Sequence, residues 1–381
     1  MYMRKIAFLT GSRGEWGYIR PILRAIEKDD ELTYELIATQ MLLLPEFGLA
    51  VKEIERDGFR VSEKVYMTLD GFNAVTMTKS LGVLMLELPT ILDRIKPDIL
   101  LLSGDRGEQL MGAIAGGHLG IPVAHIQAGE LSGNIDGIVR HSITKLAHIH
   151  FAANEEFADR VRKMGEQPFR VYNTGAPQLD EMVKGNFTAD DELRSKFRLA
   201  ADDKFILAVQ HPVTEQEDKA GEHILETLNA IKRTKLPTVM IYPNADAGSE
   251  LVRKELQNLK GSNIQVYRNL PRVDYLGLMR SASLIVGNSS SGILEAPTFK
   301  LPCVNIGRRQ IGRPQAINVI NSEHSEEAIF EAIQIALSGL FQRKMENCVN
   351  PYGDGQSAQR IKNILKDIKI DSGLINKKMS Y

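Results

Sequence analysis

The sequence lacks the features of secreted, membrane and disulfide-rich proteins. Its 381 residues include two cysteines, Cys303 and Cys348, which are too few for a disulfide scaffold and lack the spacing of a metal site. No run of about 18 apolar residues predicts a transmembrane helix. A polar loop follows the short apolar run at residues 6–9, so no signal peptide is predicted. We therefore expect a cytoplasmic protein without a membrane partner.

The sequence also lacks an excess of either charge. It has 47 basic and 48 acidic residues, giving a formal net charge of −1. A dedicated nucleic-acid binder carries a large basic excess, so we expect no nucleic-acid partner. Hydrophobic residues make up 43% and charged residues 25%, which is typical of a globular chain. At about 150 residues per domain, the length predicts two domains.

Short apolar runs alternate with longer amphipathic stretches along the whole chain. Because strands that alternate with helices form parallel sheets covered on both faces, the fold class is α/β. We expect two doubly wound Rossmann-like domains that face each other across a cleft, as residues 1–175 and 176–351. The strands are predicted at residues 5–10, 34–39, 98–103, 121–126, 148–153, 171–174, 204–209, 237–242, 263–267, 283–286 and 301–306.

Three stretches of the first series have helical spacing: residues 18–28, 108–119 and 137–147. Residues 11–17 are predicted to form a polar turn before the first of these helices. A further helix is predicted within residues 352–370, and residues 377–381 are expected to fray. Ligands of such sheets bind at the carboxyl ends of the strands, so the polar turns after the strands are the candidate site.

A loop of small residues, GNSSSG at 287–292, lies between a predicted strand and a helix that begins near Ile293. Small residues let a ligand approach the backbone, and hydroxyl and N–H groups at a helix start favour an anion. The loop predicts a phosphate or diphosphate site, with Glu295 accepting hydrogen bonds from ribose hydroxyls. The structural alternatives are a serine N-cap and a favourable acidic charge in the first helical turn.

Arginines follow two of the predicted strands. Arg308, Arg309 and Arg313 come after the strand at 301–306, and Arg13 follows the first strand in a similar place. Guanidinium groups bind phosphate oxygens through paired donors, so these residues are candidates for binding a diphosphate. A solvated loop cluster is the alternative.

Acidic residues follow strands of the N-terminal half, and a histidine follows a strand of the C-terminal half. They are Asp105, Glu130, Asp136 and His211. Acids and a histidine that converge can perform general acid–base catalysis. The alternatives are structural: the two aspartates could cap helices, and His211, which precedes a proline, could shape a turn.

Together these segments resemble the UDP-N-acetylglucosamine 2-epimerase family, from Lys5 to about Ile368. They are most similar to its hydrolysing branch, which feeds the synthesis of sialic acid and related nonulosonic acids. The motifs that carry the resemblance are GSRGE (11–15), SGDR (103–106), HIQAGE (125–130), ID (135–136), RHSITKLAH (140–148), QHP (210–212), PNADAGS (243–249), GNSSSG (287–292) and RQIGR (309–313).

The resemblance implies a fold like that of GT-B glycosyltransferases, with the helix at 352–370 returning to the N-terminal domain. It implies no metal and no cofactor, a UDP-sugar substrate and a homodimer or homotetramer. Asp105, Asp136 and His211 match acid–base positions. The residues that would bind the UDP-sugar are Arg13, Arg106, Gln127, Arg140, His141, Arg272, Ser289, Ser290, Ser291, Gly292, Glu295, Arg309 and Arg313.

Two residues depart from the family pattern. Relatives often have a carboxylate at the position of Gln127, and an amide cannot take a proton from carbon. Glu130, three residues later, is the candidate substitute. Relatives often have an aromatic residue at the position of Arg272, where a guanidinium plane could stack on uracil instead.

The resemblance implies that UDP-N-acetylglucosamine is converted to UDP and N-acetylmannosamine, by elimination to a 2-acetamidoglucal and rehydration. Asp105, Glu130, Asp136 and His211 would form the catalytic set. Three alternatives remain. They are the same chemistry on a UDP-2,4-diacetamido-2,4,6-trideoxyhexose, as in legionaminic-acid synthesis, a GT-B glycosyltransferase, and a nucleotide-sugar sensor without turnover. The apolar stretch at 77–92 is either a core helix or an interface helix.

Overall fold

The computed structural model describes residues 3–45, 48–70, 74–132, 135–185, 187–201, 203–243, 248–259, 263–268 and 270–380. The chain divides into two compact units. The first comprises Met1–Glu181 and Tyr352–Tyr381, and the second comprises Met182–Pro351. The C-terminal segment therefore belongs to the first unit. Most of the PNADAGS motif, residues 244–247, lies outside the described residues.

The first unit is built on a parallel sheet. Its strands are β1 (Arg4–Thr10), β2 (Leu32–Thr39), β3 (Glu63–Val65), β4 (Ile99–Ser103), β5 (Val123–Ile126), β6 (Ile149–Ala152) and β7 (Val171–Asn173). In the described residues their order is β3-β2-β1-β4-β5-β6-β7. The order reverses between β1 and β4, which makes this the switch point where doubly wound sheets bind ligands.

The second unit repeats this plan with a shorter sheet. Its strands are β8 (Ile206–Val209), β9 (Thr238–Ile241), β10 (Ile264–Tyr267), β11 (Leu284–Gly287), β12 (Cys303–Ile306) and β13 (Val319–Ser322). They are parallel, in the order β10-β9-β8-β11-β12-β13, with the switch point between β8 and β11. The predicted α/β class with two doubly wound sheets is therefore confirmed. The short strands β3 and β13 were not predicted.

Helices connect the strands in both units. They are α1 (Arg13–Ile26), α2 (Val51–Arg56), α3 (Ala74–Ile95), α4 (Gly107–His118), α5 (Ile135–Leu146), α6 (Glu155–Lys163), α7 (Leu179–Val183), α8 (Asp190–Lys196), α9 (Ala220–Thr234), α10 (Ser249–Gln257), α11 (Arg272–Ser281), α12 (Ser291–Leu294), α13 (Glu326–Leu337), α14 (Gly339–Met345), α15 (Ser357–Asp367) and α16 (Ser372–Ile375). Short 3₁₀ turns occur at Gln40–Leu43, Pro168–Arg170, Thr214–Lys219 and Ala296–Phe299.

Both faces of the first sheet are covered by helices. Phe8 and Leu101 point to one face, where they pack with α1 and α15, and Leu100 and Leu102 point to the other face, where they pack with α3. Because successive strand residues face opposite sides, a strand buried on both faces is apolar throughout, as Ile99–Leu102 is. On the second sheet, α9 and α13 pack against one face.

The first helix begins earlier than predicted. Residues 11–17 were expected to form a turn, but α1 starts at Arg13. The side chain of Ser12 accepts from Glu15 N at 3.3 Å, and the Glu15 carboxylate accepts from Ser12 N at 3.1 Å. This reciprocal capping box satisfies N–H groups that the helix cannot bond internally. The S-x-x-E spacing was the signal in the sequence.

Helix α3 contains an 18-residue window long and apolar enough to span a membrane. Within Val75–Ile95 its mean hydropathy is 1.3, and 28% of that window is buried. Leu84, Leu88 and Leu92 are fully buried against the first sheet. Core helices meet the same length and composition criteria, so these criteria do not assign α3 to a membrane.

Residues 377–380 are packed against the rest of the first unit, in contrast to the expected fraying of the chain end. Lys377 Nζ donates to three carbonyls at or just after the end of α5, at 2.7–3.1 Å. It also pairs with Glu166 at 2.7 Å. A cation at a helix C-terminus is stabilised by the carbonyls that have no partner within the helix. The tail therefore packs against the first unit.

Candidate active site

In the first unit, the predicted acidic residues lie at the carboxyl edge of the sheet. Asp105 follows β4, Glu130 follows β5, and Asp136 lies in the first turn of α5. Glu130 is buried, and the two aspartates are partly exposed. Arg106, not Asp105, is the N-cap residue of α4. The capping alternative for Asp105 is therefore wrong.

Asp105 is held by a buried cation. Arg140, on α5, contacts the Asp105 carboxylate through Nη2 and donates to Ser132 Oγ through Nη1 at 2.9 Å. Its guanidinium belongs to a residue that is 2% exposed. A buried arginine needs an anionic partner, because desolvation would otherwise be costly. Arg140 therefore fixes the loop after β4 to the helix that carries Asp136.

His125 also supports this loop. Its Nε2 lies 2.8 Å from Gly104 O, and its Nδ1 lies 3.1 Å from Thr144 Oγ1. Burial lowers the pKa of His125 to about 3, so the ring is neutral near pH 7. The neutral ring bonds both partners without adding charge.

Gln127 has a strained backbone. Its φ is +66°, in the left-handed region that side-chain-bearing residues seldom occupy. Its Nε2 donates to Tyr18 Oη at 2.8 Å and lies 3.4 Å from Glu130 Oε2. Such strain costs about 1–3 kcal/mol and is typical of functional sites. The amide thus orients a buried carboxylate and a phenol.

The other predicted binding residues of the first unit differ in their exposure and in their contacts. Arg106 Nε donates to Glu108 at 3.0 Å. Arg13 is exposed and pairs with Glu53 at 3.1 Å. Burial, together with Arg140, lowers the pKa of His141. Arg13 is the first residue of α1.

In the second unit, Asn288 joins the two strands of the switch point. Its Oδ1 accepts from His211 N at 2.7 Å, and its Nδ2 donates to His211 O at 2.8 Å. The carboxyl ends of β8 and β11 are thereby locked together. Burial, reinforced by Arg309, lowers the pKa of His211 to about 3, so the imidazole is neutral near pH 7.

The hydroxyl groups of the serine loop, residues 287–292, contact one another and a tyrosine, which was not predicted. Ser289 Oγ lies 2.9 Å from Ser291 Oγ, which lies 2.5 Å from Tyr275 Oη. Ser290 precedes α12 without a capping bond from its side chain, but Ser289 Oγ accepts from Ser291 N at 3.3 Å, so a serine does satisfy an N–H group at the start of this helix. A Cβ at Gly292 would lie 2.5 Å from Cys303 Sγ. Gly292 is thus required for packing.

Glu295 follows the four-residue helix α12 and is 7% exposed. Arg272 Nη2 donates to Glu295 Oε1 at 2.6 Å. Because α12 ends at Leu294, the alternative of a first-turn charge is wrong. The ion pair orients the carboxylate and occupies one edge of the guanidinium that was predicted to stack on uracil.

The arginine loop after β12 contacts the serine loop. Arg309 Nη1 donates to Asn288 O at 3.3 Å, and Gln310 Nε2 donates to the same oxygen at 2.8 Å. Arg313 has a buried Nη1 without a hydrogen-bond partner in the described part of the chain. The structure thus brings Arg309, Ser289 and His211 around Asn288. This edge is a polar, cationic site of the kind that binds phosphate.

Comparison with known proteins identifies the family. The family model of UDP-N-acetylglucosamine 2-epimerase matches residues 24–366. The chain belongs to the UDP-N-acetylglucosamine 2-epimerase family. Among the residues that the structure describes, no group of three or more His, Cys, Asp or Glu side chains is arranged to hold a metal ion.

Members of this epimerase family are similar over nearly the whole chain. The chain is 33% identical over 380 residues to the UDP-N,N'-diacetylbacillosamine 2-epimerase (hydrolyzing) of Legionella pneumophila subsp. pneumophila, covering 100% of both proteins. It is 32% identical over 341 residues to the UDP-N-acetylglucosamine 2-epimerase of Neisseria meningitidis serogroup B, covering 89% of each.

A solved structure of the family has the same fold. The UDP-GlcNAc 2-epimerase of Neisseria meningitidis, bound to UDP-GlcNAc, matches with a TM-score of 0.82 at 18% identity. The match covers 95% of this chain and 99% of that chain. The GT-B-like architecture expected of an epimerase of this family is therefore confirmed at the level of the fold.

Six residues at the carboxyl edges of the two sheets were not predicted to be site residues in this member of the epimerase family. They are Glu15, Tyr18, Glu108, Tyr275, Asn288 and Gln310. Asn288 and Gln310 lie inside the quoted motifs, next to residues that were predicted. Tyr18 and Tyr275 come from helices, and no motif in the sequence marks them.

Proposed function

We propose that this chain is a hydrolysing 2-epimerase that acts on a UDP-linked 2-acetamido sugar. The observation that carries the proposal is the acidic edge of the first unit, where Arg140 fixes Asp105 and the Gln127 amide orients Glu130. Family membership and the full-length similarity to a relative named as hydrolysing support it. The cationic edge of the second unit supplies groups that suit a diphosphate.

The reaction must remove a proton that is not acidic. C2 of a 2-acetamido sugar has no adjacent carbonyl, so direct abstraction would leave an unstabilised carbanion. Elimination avoids this state: a base takes the C2 proton while the C1–O bond breaks and its electron pair leaves with UDP. The product is a 2-acetamidoglucal, and stabilising the departing diphosphate lowers the barrier.

Rehydration completes the epimerisation. Water adds its oxygen to C1 of the glycal, and C2 receives a proton on the face opposite to the one deprotonated. The products are UDP and the free 2-epimer of the sugar. One carboxyl group must be ionised while another donates a proton, which requires acids in unequal surroundings. Glu130 is buried, and Asp105 and Asp136 are partly exposed, so the first unit offers this inequality.

We assign UDP binding to residues of the second unit. Arg309 supplies positive charge next to the Asn288 carbonyl, and Ser289 and Ser290 supply hydroxyl groups. Glu295, oriented by Arg272, would accept from the ribose hydroxyls. His211 is neutral near pH 7, so it would act as a hydrogen-bonding group at the diphosphate or glycal, not as a cation.

Two sugars are candidates for the substrate. UDP-N-acetylglucosamine is the first, with N-acetylmannosamine as the free product, and the relative from Neisseria meningitidis favours it. UDP-N,N'-diacetylbacillosamine, a 2,4-diacetamido sugar, is the second. The relative from Legionella pneumophila favours it, because that similarity covers 100% of both chains.

The test is turnover of both sugar nucleotides in deuterated water. We expect release of UDP together with a free 2-epimer that carries deuterium at C2, with a higher kcat/KM for one of the sugars. Free product without deuterium at C2, or UDP release only when an acceptor is added, would refute the proposal. Binding of UDP-sugar without any release of reducing sugar would also refute it and indicate a sensor.

We also propose that the chain forms a homo-oligomer through α3. Val75, Met77 and Leu86 are 62%, 52% and 79% exposed on this helix. A contiguous exposed apolar surface marks an interaction site, and Val75 and Leu86 lie on the same side of α3. Light scattering on the wild type and on Leu86→Glu tests this proposal: a wild type that is monomeric at micromolar concentration would refute it.

A further inference from the structure

The switch point of the first unit carries a repeated motif whose two glutamates the proposed mechanism does not use. Residues 11–15 read GSRGE and residues 104–108 read GDRGE, so the pattern G-x-R-G-E follows both β1 and β4. These two strands are neighbours in the sheet. Their carboxyl ends therefore bring Glu15 and Glu108 to the same edge.

Glu15 occupies the place where such a sheet commonly binds an anion. It is 5% exposed, and its Oε2 accepts from Gly11 N at 2.5 Å and from Ser12 N at 3.1 Å. The N–H groups at the start of a helix after a strand are a general phosphate site. In this chain its own carboxyl group fills the site at the start of α1.

Glu108 approaches the same backbone from the other side. It is 2% exposed, and a Cβ on Gly11 would lie 2.5 Å from Glu108 Oε1. Only glycine at position 11 leaves room for this carboxyl group. The remaining oxygen of Glu15, Oε1, is buried and has no hydrogen-bond partner in the described residues. A proton on Glu15 would reside on this oxygen, because Oε2 already accepts two N–H groups.

The pKa of Glu15 is raised in these surroundings. Burial raises the pKa of Glu15 well above its usual value, and Glu108 raises it further, while bonds from Gly11 and Ser12 and the charge of Arg106 lower it. Glu108 is paired with Arg106 at 3.0 Å. A proton shared by the pair therefore resides on Glu15, whereas Glu108 is the glutamate that contacts the Arg106 guanidinium.

Arg106 links this pair to the acidic edge. It directly follows Asp105, and although burial lowers its pKa, the charges of Glu108, Glu15 and Asp136 raise it overall. The charged groups that act on Glu15 are Glu108 and Arg106 from the β4–α4 side, and Asp136 of α5 acts on Arg106. A second negative charge on the pair would draw the guanidinium away from Asp136.

We propose that Glu15 and Glu108 form a buried carboxyl pair that holds one proton and fixes the Arg106 guanidinium beside the acid–base residues. Both glutamates are then positioning residues for the reaction. This inference rests on the proposed function for its kinetic consequence, whereas the proton on the pair can be measured without substrate.

Glu15→Gln tests the proton. The amide is neutral, has the shape of the protonated acid, and can place its NH₂ group at the position of Glu15 Oε1. A carboxyl group with a raised pKa in the folded state stabilises the fold below its unfolded pKa, and that stability is lost as pH rises. We expect the Tm of Glu15→Gln, relative to wild type, to increase as pH is raised from 5 to 9. A constant Tm difference would overturn the proposal.

Glu108→Gln tests the positioning of Arg106. We expect kcat to fall about tenfold with a smaller change in KM, since a misplaced group lowers the rate more than binding. We expect the wild-type kcat to decline at alkaline pH as Glu15 loses its proton, and Glu15→Gln, which keeps the neutral form, should remove that decline. Glu27→Gln, at the opposite end of α1, is the matched control and should change neither profile.

The two proposals fail in different ways. If wild type turns over neither sugar nucleotide, the proposed function is wrong, and the Tm measurements still decide whether the pair holds a proton. If wild type is active but Glu15→Gln and Glu108→Gln have its kcat and its pH profile, the positioning role is wrong and the proposed function stands.

Discussion

The switch points of the two units share a topology but have opposite chemistry. In the first unit, the crevice between β1 and β4 holds the carboxyl groups of Glu15 and Glu108, and its N–H donors are already bonded. In the second unit, the crevice between β8 and β11 holds the Asn288 amide with hydroxyl and guanidinium groups nearby. One edge is lined by buried carboxyl groups, and the other by an amide, hydroxyl groups and a guanidinium group. The same sheet plan can therefore serve acid–base chemistry in one unit and phosphate binding in the other.

The largest effect is expected from an acid of the first unit. Asp136→Asn should lower kcat by about 10³-fold, because a general acid or base contributes about 10²–10⁴-fold. The affinity for UDP should stay within about twofold, since the second unit is proposed to bind it. Steady-state kinetics and calorimetric titration with UDP measure both. The control is Asp159→Asn, an exposed acid on α6. An unchanged kcat, or a lost UDP affinity, would contradict the division between the edges.

The loss in the free energy of unfolding on a glycine-to-alanine substitution should also differ between the two switch points. A Cβ at Gly287, at the end of β11, would lie 2.0 Å from Val209 O, so Gly287→Ala must displace backbone. We expect a loss of about 4 kcal/mol in the free energy of unfolding. Gly104 follows β4, and its Cβ would lie 3.2 Å from the Gln127 side chain. Gly104→Ala should cost about 1–2 kcal/mol, the cost of the left-handed backbone. Urea unfolding compares them, and equal losses would contradict this difference.

Removal of a cation from the second unit should weaken UDP binding. Arg309→Ala should raise the Kd for UDP about 10- to 100-fold, because charge-assisted hydrogen bonds contribute about 1.5–3 kcal/mol. Arg309→Lys should recover only part of the affinity, since lysine lacks the paired donors. Arg308→Ala is the matched control, because Arg308 is the exposed neighbour. An equal loss in the control would mean that general charge, not Arg309, binds UDP.

The smallest effect concerns the amide at position 127. Gln127→Glu would place a second carboxylate near Glu130, where the present amide nitrogen is 3.4 Å away. Two carboxylates so close do not both ionise until the pH is higher, so the acid limb of the pH–rate profile should move to higher pH. We expect about a tenfold fall in kcat/KM at pH 7. A rate equal to or above wild type with an unmoved profile would show that Glu130 is not the base.

Much of the fold follows from local pattern. The apolar runs predicted strands such as β4 and β5 to within two residues, because a strand buried on both faces has no other composition. The start of α1 was misplaced because the capping box was read as a turn. The strands β3 and β13 were missed because they are three and four residues long, with mixed burial.

For the candidate sites, the sequence predicted the positions of some residues but not the contacts between them. Motif spacing placed Asp105, Glu130 and Asp136 after strands of one sheet, and parallel strands bring such residues to one edge whatever the loops contain. Spacing did not predict the Arg140–Asp105 contact or the role of Asn288, because each joins segments far apart in sequence. Nor did it predict the contacts of Tyr18 and Tyr275, which lie on helices α1 and α11.

The amino-acid sequence was sufficient for the α/β class, the family and the positions of the chemically active residue types, since these depend on composition, period and motif. Tertiary structure was needed to show that two buried glutamates, 93 positions apart, meet at Gly11, and that burial lowers the pKa of His125 and of His211. Burial, dielectric and the charges of neighbours decide protonation, and each depends on residues that only folding brings together.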